Sequence, residues 1–144
     1  MKPQNKIKLF LVDDDVVFLK SLELEFRERG DFDIETYVSG ESCVANLSNN
    51  PDIIILDYLL DGTDKNAMHG IAALDQIKAF NADIPVIMLS AQDKIDVAVN
   101  CMHHKAFDYV VKSETAFLRL HKAITSIFHV RKIEKELIWY MERM

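Results

Sequence analysis

The chain has 144 residues, of which 49% are hydrophobic, and this length and composition predict one globular domain with a buried core. Its net charge of −6 is spread along the sequence without a basic stripe, which argues against a nucleic-acid-binding surface. Cys43 and Cys101 have no CxxC spacing, and no signal peptide or long apolar span is present. We therefore expect a cytoplasmic protein without a disulfide or a membrane segment.

Short β-rich runs alternate with helical patterns along the chain. The first run, Ile7–Val12, precedes a helix in which apolar residues recur at spacings of three and four, and Gly30 is expected to end that helix. Four further runs follow at residues 32–38, 52–57, 84–89 and 107–111. This alternation predicts an α/β fold, a doubly wound parallel sheet with helices on both faces.

Polar side chains follow four of the five predicted strands. Asp13 and Asp14 follow the first strand, Asp57 ends the third, Ser90 the fourth, and Lys112 follows the fifth. Ligands of doubly wound sheets bind at this carboxyl edge. Carboxylate oxygens are the ligands that Mg²⁺ prefers, whereas the scattered histidines do not form a zinc set. The sequence therefore predicts a magnesium site.

The run Asp13, Asp14 and Asp15 supports this interpretation. One aspartate is explained as the N-cap of the first helix, and Asp15 is the simplest candidate. Like charges about 4 Å apart repel by about 1 kcal/mol in water and about 4 kcal/mol at an effective dielectric constant of 20. Because Asp13 and Asp14 repel each other in this way, we expect a cation to compensate their charge.

Four motifs at these strands resemble the receiver domain of bacterial two-component response regulators. They are "FLVDDD", "PDIIILDYLL", "PVIMLSA" and "AFDYVVK", in the order and approximate spacing of that family. Each motif is weak alone, but the four together are specific. The resemblance implies a flavodoxin-like five-stranded sheet in the order 2-1-3-4-5, a receiver domain over residues 6–125, and a helical extension over residues 126–144.

The resemblance also implies a role for each acidic residue. Asp57 is expected to be the phosphoacceptor and to contact Mg²⁺. Asp14 is expected to bind the ion directly and Asp13 largely through water. The backbone carbonyl of Leu59, two residues after the acceptor, is expected to complete the protein's ligands.

Three further residues receive roles from the same resemblance. Ser90 is expected to hydrogen-bond the phosphoryl group, and Lys112 to pair with its charge. Tyr109 is expected to be the aromatic switch that follows Ser90. The implied function is a phosphorylation-dependent signalling switch that accepts a phosphoryl group from a histidine kinase or a phosphotransfer protein, rather than an enzyme acting on another substrate.

Two other functions stay open at this stage. "DDDVV" also fits the nucleophile motif of haloacid dehalogenase-type phosphatases, with Asp13 attacking phosphate and Asp15 acting as acid and base. That family needs a later strand ending in an acidic pair, which does not follow Lys112, and it gives no reason for Asp57 to end a buried strand. The other alternative is a degenerate receiver that only docks partners.

Three departures from the family pattern affect the expected structure. Ser113 stands where the family usually has proline, so we expect a trans peptide after Lys112 and a differently placed lysine loop. Lys105 stands where glycine is usual, which puts a left-handed turn there in doubt. The loop after Asp57 is several residues longer than usual and could screen the site or recognise a partner.

The last helical pattern continues past the resemblance. Its first apolar stripe is expected to dock on the sheet: Phe117, Leu120, Ile124 and Ile127. A second stripe follows in a new phase: Val130, Ile133, Leu137, Tyr140 and Met144. We expect an extended fifth helix that pairs with a second copy of the chain or leads into a further module. A stripe folded back on its own domain, or a frayed end, is the alternative.

Overall fold

The computed structural model of the protein describes residues 6–60 and 68–144. These residues form five strands, five α-helices and one short 3-10 turn. In chain order the elements are β1 Ile7–Val12, α1 Val16–Arg29, β2 Phe32–Tyr37, α2 Gly40–Ala45, the 3-10 turn Leu47–Asn49, β3 Ile53–Asp57, α3 Gly70–Phe80, β4 Val86–Ser90, α4 Ile95–His103, β5 Asp108–Val111 and α5 Ala116–Glu142.

The five strands form one parallel sheet in the order β2-β1-β3-β4-β5. This confirms the doubly wound fold and the strand order that the sequence predicts. The strands β1 and β3 lie side by side in the sheet although α1, β2 and α2 separate them in the chain. The strand order reverses beside β1, and the carboxyl ends of β1, β3 and β4 therefore meet at the ligand-binding edge.

Two apolar cores cover the two faces of the sheet, and β1 shows how the sequence divides between them. Leu9 and Leu11 belong to the core that packs against α1 and α5, whereas Phe10 and Val12 belong to the core that packs against α2, α3 and α4. All four side chains are buried, because successive side chains of a strand point to opposite faces. A strand that is covered on both faces therefore has a continuous run of apolar residues in its sequence.

The ends of α1 follow the predicted signals. The carboxylate of Asp15 accepts a hydrogen bond from the backbone N–H of Phe18, which confirms Asp15 as the N-cap. Gly30 ends the helix with a left-handed φ of 79°.

The doubt about a left-handed turn at Lys105 is wrong, because the residue has a φ of 75°. Its N–H donates to the carbonyl of Met102, and the next N–H, that of Ala106, donates to the carbonyl of Cys101. These two bonds are the Schellman pair that closes a helix around a left-handed residue. They stabilise a conformation that costs a lysine about 1–2 kcal/mol.

The helix α5 has a docked half and an exposed half. Its first stripe is buried as predicted: Phe117, Leu120, Ile124 and Ile127. The second stripe is exposed: Val130, Ile133, Leu137, Tyr140 and Met144. Between the two, the guanidinium of Arg131 donates a hydrogen bond of 2.8 Å to the carbonyl of Asp83 in the loop before β4. None of the helices in the described part of the chain is long and apolar enough to cross a membrane.

Candidate functional site at the carboxyl edge of the sheet

Three carboxylates converge where β1 and β3 end. Asp13 and Asp14 follow β1, Asp57 is the last residue of β3, and one carboxylate oxygen of each lies within 4.8 Å of the others. Asp13 and Asp57 are 2% and 4% exposed, whereas Asp14 is partly exposed. The sheet therefore concentrates negative charge at a largely dry position, as the sequence predicts.

The ammonium group of Lys112 lies between two of these carboxylates. Its nitrogen is 2.8 Å from Oδ2 of Asp13 and 3.5 Å from Oδ2 of Asp57. The backbone N–H of Lys112 donates to the carbonyl of Ser90, at 2.7 Å, and this bond ties the lysine to the end of β4. Burial lowers the pKa of Lys112, but the two carboxylates outweigh this effect and raise it overall. Lys112 is therefore a permanent cation of the site.

Asp57 is poorly stabilised as an anion. Burial raises the pKa of its carboxyl group, the negative charge of Asp13 raises it further, and Lys112 offsets only part of these effects. One lysine thus faces three carboxylates that lie close together. Among the described residues the carboxylates of the cluster outnumber this cation, and a bound cation would relieve the imbalance.

The donor set fits a magnesium ion. The three candidate ligands are all carboxylates, the hard oxygen donors that Mg²⁺ prefers. Oδ2 of Asp13 is fully buried and lies 2.8 Å from the ammonium of Lys112, but it accepts no hydrogen bond of regular geometry within the described parts of the chain. This oxygen therefore has acceptor capacity that Lys112 does not use up, and a bound cation would use it.

Leu59 lies two residues after Asp57 and is exposed. The expectation that its carbonyl binds the ion stays a prediction. Most of the lengthened loop that follows, residues 61–67, lies outside the described residues. The loop re-enters the described structure at Met68, whose N–H donates to the carboxylate of Glu41 on α2.

Ser90 and Tyr109 both contact the loop that joins β4 to α4. Ser90 is buried, and its hydroxyl accepts a hydrogen bond of 3.0 Å from the N–H of Gln92. The hydroxyl of Tyr109, on β5, donates a hydrogen bond of 2.6 Å to the backbone carbonyl of Gln92. Gln92 is thus held on both sides of its backbone. The phosphoryl contact expected for Ser90 and the switch role expected for Tyr109 stay predictions.

Asp15 does not join the acidic cluster. Its side chain is exposed and caps α1, and its N–H donates to Oδ1 of Asp13 at 2.9 Å. The phosphatase alternative requires Asp15 to act as an acid and base beside Asp13. The structure instead uses it to begin a helix and to orient its neighbour.

Sequence reasoning missed Gly70, the first residue of α3. A Cβ atom at this position would lie 2.5 Å from the carbonyl oxygen of Asp57 and 2.7 Å from that of Tyr58. The N–H of Gly70 also donates to the carbonyl of Tyr58. Only glycine lets α3 approach the backbone behind Asp57 this closely. The sequence around Gly70 resembles an ordinary helix start, and the contact with Asp57 appears only in three dimensions.

The parallel sheet in the order 2-1-3-4-5, with carboxylates at its carboxyl edge, defines a flavodoxin-like protein of the doubly wound class. The family model described as the response regulator receiver domain matches residues 9–125. The chain belongs to this family, whose members are phosphorylation-dependent signalling switches, and the phosphatase alternative is not favoured.

Curated relatives support the same family. The chain is 30% identical over 135 residues to the transcriptional regulatory protein ZraR of Salmonella typhimurium, and the match covers 93% of this chain and 29% of ZraR. It is 34% identical over 106 residues to the transcriptional regulatory protein PrrA of Mycobacterium tuberculosis, covering 73% of this chain and 43% of PrrA. The chain thus matches less than half the length of these two relatives.

Solved structures agree with the fold. The CheX-CheY complex with BeF₃ and Mg²⁺ from Borrelia burgdorferi matches with a TM-score of 0.74 and 29% identity, over 85% of this chain and 89% of that one. A CheY-like receiver domain protein from Methanospirillum hungatei matches with a TM-score of 0.77 over 90% of this chain and 99% of that one. At 18% identity, the second likeness concerns the fold alone.

Proposed function

We propose that Asp57 accepts a phosphoryl group and that Asp13, Asp14, Asp57 and the carbonyl of Leu59 hold Mg²⁺ for this reaction. The observation that supports this proposal best is the position of Asp57, which is buried at the end of β3 with two carboxylates and one lysine around it. The similar CheX-CheY complex from Borrelia burgdorferi is itself a complex with Mg²⁺. The proposed receiver spans residues 6–125, and residues 126–144 extend it.

The chemistry follows from the charges at the site. A carboxylate oxygen of Asp57 attacks the phosphorus atom, the bond to the leaving group breaks, and the leaving group departs with the electron pair. Magnesium, when bound, offsets the negative charge of the carboxylate and of the phosphoryl group. Lys112, 3.5 Å from Asp57, pairs with a phosphoryl oxygen in the product. The hydroxyl of Ser90 donates a hydrogen bond to another phosphoryl oxygen.

The product is an acyl phosphate that carries more negative charge than the carboxylate it replaces. Lys112 and Ser90 are drawn toward this charge, and Ser90 moves the loop that its hydroxyl holds at Gln92. The hydroxyl of Tyr109 donates a hydrogen bond to the carbonyl of Gln92, so the side chain of Tyr109 moves when the loop moves. This sequence of contacts is the proposed switch.

The proposed phosphodonor is a histidine kinase or a histidine phosphotransfer protein in the cytoplasm. Apart from gaining and losing its own phosphoryl group, the chain is proposed to catalyse no reaction. It is proposed to contact neither nucleic acid nor membrane through the residues given. Docking without phosphorylation is less well supported, because the acidic set and Lys112 lie together as phosphoryl acceptance requires.

Acetyl phosphate with Mg²⁺ tests the acceptor. The wild type should gain one phosphoryl group, labile to hydroxylamine, by intact-mass measurement. Asp57→Asn should gain none. Asp52→Asn is the matched control, because Asp52 immediately precedes β3, at the end opposite to Asp57, and its side chain accepts a hydrogen bond from the N–H of Lys8. Equal labelling of Asp57→Asn, or labelling at Asp13, would overturn the proposal.

We also propose that the exposed half of α5 pairs with a second copy of the chain. Its second stripe repeats at spacings of three and four, with exposed fractions of 50% at Ile133 and 57% at Leu137. Charged side chains such as Lys132 and Glu136 separate the apolar positions. This alternation is typical of a helix that covers one face with a partner and keeps the other in water.

Light scattering tests the pairing. The full chain should form a dimer at micromolar concentration, and a chain ended at Phe128 should be a monomer. Leu137→Ser should weaken the dimer, whereas Lys132→Ser, on the polar face of the same helix, should leave it unchanged. If the full chain and the shortened chain are both monomers across the micromolar range, the pairing is wrong.

A further inference from the structure

The ammonium group of Lys112 has a third neighbour besides its two carboxylates. Its nitrogen lies 4.8 Å from the centroid of the Phe18 ring, over the face of that ring. At this distance the negative face of an aromatic ring attracts a cation. The ammonium group therefore contacts two carboxylates and one aromatic ring face.

Phe18 is held in place independently of Lys112. It lies in the first turn of α1, and its N–H donates to the capping carboxylate of Asp15. Its side chain is partly buried and packs against the core between the sheet, α1 and α5. The ring is thus a fixed surface, whereas the lysine side chain that lies over it has several rotatable bonds.

We propose that Phe18 is a positioning residue for phosphorylation and acts by holding Lys112 beside Asp57. This inference rests on the proposed function. In the structure Lys112 is closer to Asp13, at 2.8 Å, than to Asp57, at 3.5 Å, so it must shift toward the phosphoryl group as that group arrives. A ring face attracts a cation over a wide range of positions. Phe18 therefore lets the ammonium move between the carboxylates while keeping it out of the solvent.

The alternative is that Phe18 only fills space between α1 and the start of α5. The two roles differ in their dependence on the charge of Lys112. A packing residue affects the reaction whether or not the ammonium is present, whereas a positioning residue acts only through it. A double-mutant cycle between the two positions separates these roles.

The test measures the rate at which acetyl phosphate and Mg²⁺ label Asp57 in the full chain. Phe18→Leu should slow labelling by about two- to thirtyfold, the range of one cation–π contact. Phe18→Tyr keeps a ring face and should react within about twofold of the wild type. In a Lys112→Met background, Phe18→Leu should cause no further loss.

Phe128→Leu is the matched control. Phe128 is also partly buried against the same core and lies 5.5 Å from a cation, that of Arg131, but on α5 away from the site. Its substitution should leave the labelling rate unchanged. Urea unfolding checks that each variant folds, and Phe18→Met repeats the test if the leucine variant does not.

Two results would overturn the inference. One is an unchanged labelling rate in folded Phe18→Leu. The other is an equal loss from this substitution whether Lys112 is present or has been replaced by methionine, which would assign Phe18 to packing. A wild type that takes no phosphoryl group on Asp57 would instead refute the proposed function, so the two failures are distinguishable.

Discussion

Removing one carboxylate from the acidic cluster should stabilise the protein without metal and abolish its response to magnesium. Asp14→Ala is the informative change, because Asp14 is the most exposed of the three carboxylates and its loss disturbs the core least. Two unit charges 4.8 Å apart repel by about 1 kcal/mol in water and about 3.5 kcal/mol at an effective dielectric constant of 20. Asp14 is partly hydrated, so we expect a gain of about 1 kcal/mol in the free energy of unfolding.

The wild type, in contrast to Asp14→Ala, should be stabilised by magnesium. An ion that binds only the folded state with a dissociation constant of about 1 mM adds about 1.4 kcal/mol at about 10 mM. For a chain of 144 residues this corresponds to a rise of about 5 °C in the melting temperature. Asp14→Ala lacks a proposed direct ligand and should show no rise.

Thermal melts with and without MgCl₂ measure both effects. Asp31→Ala is the matched control, because it removes an exposed aspartate between α1 and β2, outside the cluster. It should keep the full magnesium response. A wild-type melting temperature indifferent to Mg²⁺, or an equal response in Asp14→Ala, would refute the electrostatic reasoning.

Three other substitutions test features around the sheet. Gly70→Ala places a Cβ 2.5 Å from the carbonyl oxygen of Asp57, and it should cost about 1–3 kcal/mol in urea unfolding and slow the labelling of Asp57. Lys105→Gly removes the cost of holding a lysine in the left-handed backbone conformation, so it should raise the melting temperature by an amount equivalent to about 0.5–1 kcal/mol. A lower melting temperature would show that the lysine backbone is not strained there. The ion pair with Lys8 and the hydroxyl of Tyr37 hold the pKa of Glu35 at about 2, below its ordinary 4.5, so this carboxylate stabilises the fold above pH 4.5 and loses its effect as the pH falls toward 2. Urea unfolding at pH 6 and pH 3 should therefore show a loss about 1 kcal/mol larger in the wild type than in Glu35→Gln, after allowance for solvent screening, and equal losses would count against the ion pair.

The strands and the acidic cluster were predictable because they depend on local signals. A continuous apolar run such as Ile53–Asp57 marks a strand covered on both faces, and the parallel fold then fixes where its last carboxylate lies. Asp15 was recognised as a cap because its hydrogen bond reaches only three residues along the chain. The docked stripe of α5 was visible in its spacing for the same reason.

The remaining contacts join segments far apart in the sequence, and no local pattern encodes them. Gly70 meets the backbone of Asp57 across the lengthened loop, and Phe18 meets Lys112 across most of the chain. Lys105 shows the limit of reasoning from residue type alone. The hydrogen bonds that close α4 stabilise a backbone conformation that intrinsic preference disfavours.

Because α5 is one continuous helix, a small tilt at its first residues produces a larger displacement at its last residues. Its 27 residues span about 40 Å, and its first residue, Ala116, lies four residues after Lys112. A tilt of about 5° at the base of a helix of that length moves its tip by about 3.5 Å, roughly the spacing of two residues along the helix axis. A displacement of the carboxyl edge near Lys112 would thereby be enlarged at Glu142 when the helix pivots at its base, and the hydrogen bond from Arg131 to the carbonyl of Asp83 would resist that tilt.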